Sequence, residues 1–112
     1  MGGLQYRVHQ RFLVDMEAKL NSCARAVSGR GRILDLGIGG AACELDQPFR
    51  IGEQVELHLA SNPPRRLVAH VTWIAWAESS AVRLGVRFDA GDFAAVGELL
   101  DWLGVQDEVG SQ

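Results

Sequence analysis

Apolar side chains recur at every second position in segment after segment of this chain, a period that fits an extended strand with one buried face. Phe12, Val14, Met16, Ala18 and Leu20 alternate with Asp15, Glu17 and Lys19. Val55, Leu57 and Leu59 alternate with Glu56, His58 and Ala60, and Val82, Leu84, Val86 and Phe88 with Arg83, Gly85 and Arg87. Turn signals separate the runs. Asn21 and Ser22 open a turn, after which a second strand is expected over residues 24–36, weakened or bulged by Gly29 and Gly31. Gly37, Gly39 and Gly40 form a tight connection to a short strand, Ala41 to Leu45, which Asp46-Gln47-Pro48 ends. Asn62-Pro63-Pro64 is a further turn, and Leu67 to Trp76 is β-rich. Short strands punctuated this way predict a small barrel or sandwich. The period then changes: Phe93, Val96, Leu99, Leu100 and Leu103 recur at three-to-four spacing and predict an amphipathic helix. Asp89 or Asp92 can cap its start, and Gly104 can end it. The expectation is one mainly β domain, a barrel with a C-terminal helix.

At 112 residues, 47% of them apolar, the chain has the size and composition of one domain with one core. No apolar run is long enough to span a membrane. The first residues, Met1-Gly2-Gly3-Leu4-Gln5-Tyr6-Arg7, lack the apolar stretch of a signal peptide, so a cytoplasmic protein is expected. Cys23 and Cys43 have no metal-site spacing and read as reduced thiols, Cys43 buried. His9, His58 and His70 are scattered and join no catalytic constellation, so no enzyme, no metal and no cofactor are expected. The net charge of −3 hides an asymmetry. Arg7, Arg11, Lys19, Arg25, Arg30 and Arg32 crowd the first part of the chain, whereas residues 89–112 carry acids and no base. That polarity suits an anionic partner on the N-terminal side.

Two clusters could meet such a partner. Arg7-Val8-His9-Gln10-Arg11 places two guanidinium forks just before the first strand, each able to grip a phosphate or a guanine edge with parallel hydrogen bonds. Asp35-Leu36-Gly37-Ile38-Gly39-Gly40 places a carboxylate at a strand end, able to accept from the paired N–H donors of guanine, beside glycines that let the backbone turn sharply. The stretch Ile33 to Gly40 is also similar to the glycine-rich loop of S-adenosylmethionine methyltransferases. That loop must lead into a helix, and here Ala41 to Gln47 is too short and meets Pro48.

In this order and spacing, Arg7 and Arg11 followed by Asp35, Gly37 and Gly40 resemble the paired motif R-x-x-x-R and D/N-x-S-x-x-G of the PilZ domain family, bacterial receptors for cyclic di-GMP. Gly52-Glu53-Gln54-Val55-Glu56-Leu57, Val71-Thr72-Trp73 and Leu84-Gly85-Val86-Arg87-Phe88 resemble later strands of that family, so the likeness runs over about residues 6–103. The motif serine is Gly37 here.

The resemblance implies a six-stranded antiparallel barrel with a terminal helix. It implies that Arg7 and Arg11 clamp phosphate and guanine groups, that Asp35 reads a guanine edge, and that Gly37 and Gly40 shape the turn. Tyr6, just before the arginine motif, could stack on a guanine. Residues 1–11 are then a ligand-binding arm, 12–104 the barrel and helix, and 105–112 a frayed tail. The expected partners are cyclic di-GMP and a protein that receives the signal, with no DNA or RNA and with the chain a monomer or homodimer. The alternative is an adaptor of the same fold that binds no nucleotide and acts by protein contacts. Trp73 is expected in the core, Trp76 is a candidate protein contact, and Arg83 and Arg87 share a strand face that either lines the ligand or is solvated.

Overall fold

The computed structural model describes residues 11–76 and 80–104. Six strands, β1 (Arg11–Ser22), β2 (Ser28–Gly37), β3 (Gly40–Leu45), β4 (Gln54–Leu59), β5 (Arg65–Trp76) and β6 (Val82–Phe88), close into an antiparallel barrel in the order β1-β2-β3-β6-β5-β4. A single 3₁₀ turn, Ala90–Asp92, leads into helix α1 (Phe93–Leu103). The strands fall where the period-two runs and turn residues put them, except that β2 starts at Ser28 rather than near Ala24. The Ser22 N–H donates across this turn to the Val27 carbonyl at 2.9 Å, which holds residues 23–26 out of the ladder.

Closure buries the apolar face of every strand. Leu20, Ile33, Cys43, Leu57, Val71 and Leu84 are among the side chains withdrawn from solvent. At about 25 cal/mol per Å² of apolar surface, this shared interior is the main source of stability. Helix α1 adds Val96, Leu99 and Leu100 to the same core. Its C-terminus ends on Gly104 at φ 79°, a left-handed conformation that suits glycine. At the other terminus Asp92 occupies the capping position without capping. Its carboxylate instead accepts the Val68 N–H at 3.0 Å and ties the helix start to β5.

Glycine decides one strand contact. A Cβ on Gly31 would lie 1.8 Å from the Glu44 carbonyl oxygen, so β2 and β3 could not approach as they do with any larger residue. Of the two effects expected of Gly29 and Gly31, a bulge is not seen, since the register runs regularly through both. The register shifts lie elsewhere: between Leu13 and Met16 in β1, Ile33 and Asp35 in β2, and Val71 and Trp73 in β5. The end of the barrel near the β1–β2 turn is fastened by Glu53. Its carboxylate, nearly buried, accepts from Arg25 at 2.6 and 2.7 Å, from the Ser22 hydroxyl at 2.5 Å and from the Arg50 N–H at 2.9 Å. These bonds, above all those from Arg25, hold its pKa at about 2 against burial, which pulls the other way.

Candidate functional site

Strict alternation would send Asp35 inward. Ile33 is buried and faces Cys43 on β3, so a residue two positions on should share its face. The β2 bulge inserts one extra residue between them, so that Asp35 faces Ala42 from the outside of the barrel. The same device acts on β5. Val71 is buried against Val86, yet Trp73, two residues on, lies outside against Gly85. The Thr72 hydroxyl donates to the Gly85 carbonyl at 3.2 Å across this bulge. Trp73 is 44% exposed, which corrects its expected place in the core. Its indole covers Gly85: a Cβ there would stand 2.1 Å from the indole Nε1.

Partners in an antiparallel register share a face, so the pairings map the outer surface. One row across the strands reads Leu13, Asp35, Ala42, Gly85, Trp73. The neighbouring row begins with Arg11 opposite Gly37, crosses the Ile38-Gly39 turn to Gly40, and continues to Arg87 and His70. Four small residues, Gly37, Gly40, Ala42 and Gly85, therefore form a low floor. Arg11 and Asp35 border it on one side, Arg87 and Trp73 on the other. At about 4.8 Å between strands, the backbones of the two borders stand about 14 Å apart, and the Arg11 side chain reaches inward as far as Gly40.

The Arg11 guanidinium donates to the Asp35 carboxylate at 2.7 Å. It reaches there over Gly40, where a Cβ would stand 3.3 Å from Arg11 Nη2 and only 2.3 Å from the Val86 carbonyl oxygen. Both members of this pair stay accessible, with side chains 44% and 28% exposed. Behind the floor Cys43 points into the core, and burial, reinforced by the Asp35 charge, pushes its thiol up to about 12. It is a free thiol with no thiolate to offer. The turn itself is anchored: the Gly39 carbonyl accepts the Phe88 N–H at 2.9 Å, and Ile38 lies under helix α1 near Gly97.

Of the residues singled out in the sequence, Arg11, Asp35, Gly37 and Gly40 come together here. Arg7 and Tyr6 lie outside the described residues. Trp73 was assigned to the wrong face because period-two reasoning cannot see a bulge. Gly85 was the available signal, a glycine inside a strand that marks a close approach. Of the two β6 arginines, Arg83 is held by Glu44 at 2.9 Å, whereas Arg87 has no ion-pair partner among the described residues. A groove of ≈ 860 Å³ lies elsewhere, lined by Lys19, Arg30, Glu44, His58 and neighbours, and includes none of the floor residues. Among the described residues no cluster of His, Cys, Asp and Glu could hold a metal, and no helix is long and apolar enough to cross a membrane.

The family model of the PilZ domain matches residues 5–104. No curated protein sequence matches the chain significantly. Among solved structures, the chain is similar to the PilZ domain of YcgR from Escherichia coli, solved with c-di-GMP. That match has a TM-score of 0.69 at 14% identity and covers 92% of this chain and 95% of that one. It is similar to the PilZ domain of CeSA from a cellulose-synthesizing bacterium, with a TM-score of 0.64 at 16% identity, covering 87% and 98% of the two chains. It is also similar to the Bacillus subtilis inhibitor of motility, with a TM-score of 0.63 at 19% identity. The match covers 89% of this chain but only 51% of that protein, so the chain spans about half its length. These likenesses extend the fold to this chain.

Proposed function

This chain belongs to the PilZ domain family, and from that premise we propose that it binds cyclic di-GMP on the floor between Arg11 and Trp73. The observation that carries the reading is the Arg11–Asp35 pair, poised over Gly40 and open to solvent. A cyclic dinucleotide offers two phosphates and two guanines. The carboxylate of Asp35 accepts from the N1–H and N2–H₂ edge of a guanine, a pair of donors that adenine lacks. Arg11, with Arg7 from the preceding segment, grips phosphate or the O6/N7 edge. Trp73 offers an aromatic plane on which a base stacks, and Tyr6 a second. Gly37 and Gly40 keep the floor low enough for close approach. Nothing in this set activates a nucleophile, so the reading is a cytoplasmic receptor and not a catalyst. The bound state is relayed to a protein partner.

Gly37 stands where the family motif has serine, which favours a second reading, an adaptor of the same fold that binds no nucleotide. A hydroxyl lost to the ligand costs about 0.5–1.5 kcal/mol, less than the charged contacts that remain. The two readings separate in a fluorescence titration of a Trp76→Phe, Trp102→Phe double variant, in which Trp73 alone reports. Saturable quenching by cyclic di-GMP and none by cyclic di-AMP is the expected result. An unchanged spectrum with either nucleotide, from a protein that melts cooperatively, supports the adaptor.

A further inference from the structure

Arg87 stands on the floor's far border. It faces Gly40 in the β3–β6 register and therefore projects from the same side as the Arg11 guanidinium that lies over Gly40. Its surroundings leave it unpaired. Asp35 is engaged by Arg11 at 2.7 Å, and Glu44 by Arg83 at 2.9 Å. Asp89, the acid next along the chain beyond Phe88, faces His70 at 3.2 Å. His70 neighbours Arg87 in the register, and its Nδ1, 3.2 Å from the Asp89 carboxylate, makes no well-aligned hydrogen bond among the described residues. An exposed guanidinium and an imidazole thus sit side by side, one strand away from the glycine over which the Arg11 guanidinium lies.

We propose that Arg87 is a ligand-contacting residue, which holds a phosphate or guanine edge of the cyclic dinucleotide from β6, beside the group that Arg11 holds over Gly40. This rests on the receptor reading above and extends it. The clamp on the ligand is then two-sided, with one cationic edge from β1 and one from β6, and the ligand bridges strands that are not neighbours in the barrel.

The test is isothermal titration of cyclic di-GMP into the wild-type protein and the Arg87→Ala, Arg87→Glu and Arg87→Lys variants, each at low and high salt, with thermal melts as controls. A charged hydrogen bond removed should weaken binding about tenfold or more in Arg87→Ala. Arg87→Glu should bind worse still, and Arg87→Lys between Arg87→Ala and wild type. The salt dependence of Kd should be shallower in Arg87→Ala than in wild type, since one screened attraction is gone. A purely structural arginine would shift the melt and leave that salt slope unchanged. Wild-type binding together with unchanged affinity and slope in Arg87→Ala and Arg87→Glu overturns the role of Arg87 and leaves the receptor reading standing. Absence of wild-type binding overturns both.

Discussion

Two walls of the same barrel are built on opposite rules. Along β1 from Met16 onward, β4 and the turn that Glu53 fastens, alternation is regular. Ala18, Leu20, Leu57 and Leu59 point in, and Glu53 holds Arg25, Ser22 and the Arg50 backbone together. Along β2, β3, β6 and the middle of β5, alternation breaks twice, small residues replace large ones, and Asp35, Trp73 and Arg87 are left facing water. The first wall spends its polar groups on itself. The second holds polar and aromatic groups outward at some cost to packing, which is how a protein keeps a surface ready for something else.

The sharpest break of this comparison is Asp35→Ala. It removes a carboxylate that two guanine donors would use, so cyclic di-GMP affinity should fall about 100-fold or more, with each charged bond worth about 1.5–3 kcal/mol. The pair with Arg11 is exposed, so the melting temperature should hardly move. A large loss of stability would place Asp35 with the structural wall.

Two glycine substitutions should then part company. In Gly31→Ala the new methyl meets the Glu44 backbone, which cannot step aside, and about 1–3 kcal/mol of stability should be lost in denaturant unfolding. The binding constant of the folded fraction should stay the same. In Gly85→Ala the methyl meets an exposed indole instead. Trp73 should lift off the sheet, the fluorescence of the single-tryptophan protein should shift, and affinity should drop by about tenfold, the scale of one stacking contact.

Glu53 sharpens the other side. Its pKa of about 2 lies below the ordinary 4.5, so the folded state gains from its ionisation. That gain is complete above pH 4.5 and disappears as pH falls toward 2. Glu53→Gln should therefore lower stability by about 1–2 kcal/mol at neutral pH, as for a charge-assisted network. The gap to wild type should close between pH 4.5 and 2 in parallel melts. Binding at neutral pH should be untouched. The smallest effect belongs to Trp76→Ala. This side chain is 68% exposed, so less than about 0.5 kcal/mol should be lost and cyclic di-GMP affinity should remain.

The difference between the walls also explains what was legible in the sequence. Alternation located β1, β4 and β6, turn residues and β-rich runs located the other three strands, and the change of period located helix α1, because those segments obey the rule that one face is buried. The arginine and Asp-Gly motifs singled out Arg11, Asp35, Gly37 and Gly40, which the fold brings together. Trp73 escaped because its position depends on an extra residue at Thr72, and a bulge adds no mark to a hydrophobic pattern. Arg87 remained undecided because its face was known but its neighbours were not. Only the register, which sets Gly40 opposite Arg87, brings it to the floor. The Asp92 carboxylate was read as a local cap and instead bonds across to Val68, a long-range choice that local spacing cannot reveal.

The most direct test of the central claim is calorimetric titration of the folded chain with cyclic di-GMP, run beside Asp35→Ala and with cyclic di-AMP as the control nucleotide. The account predicts saturable heat for the wild type with cyclic di-GMP alone, and its loss in Asp35→Ala at unchanged melting temperature. Equal binding by both proteins, or none by a wild type that melts cooperatively, would contradict it.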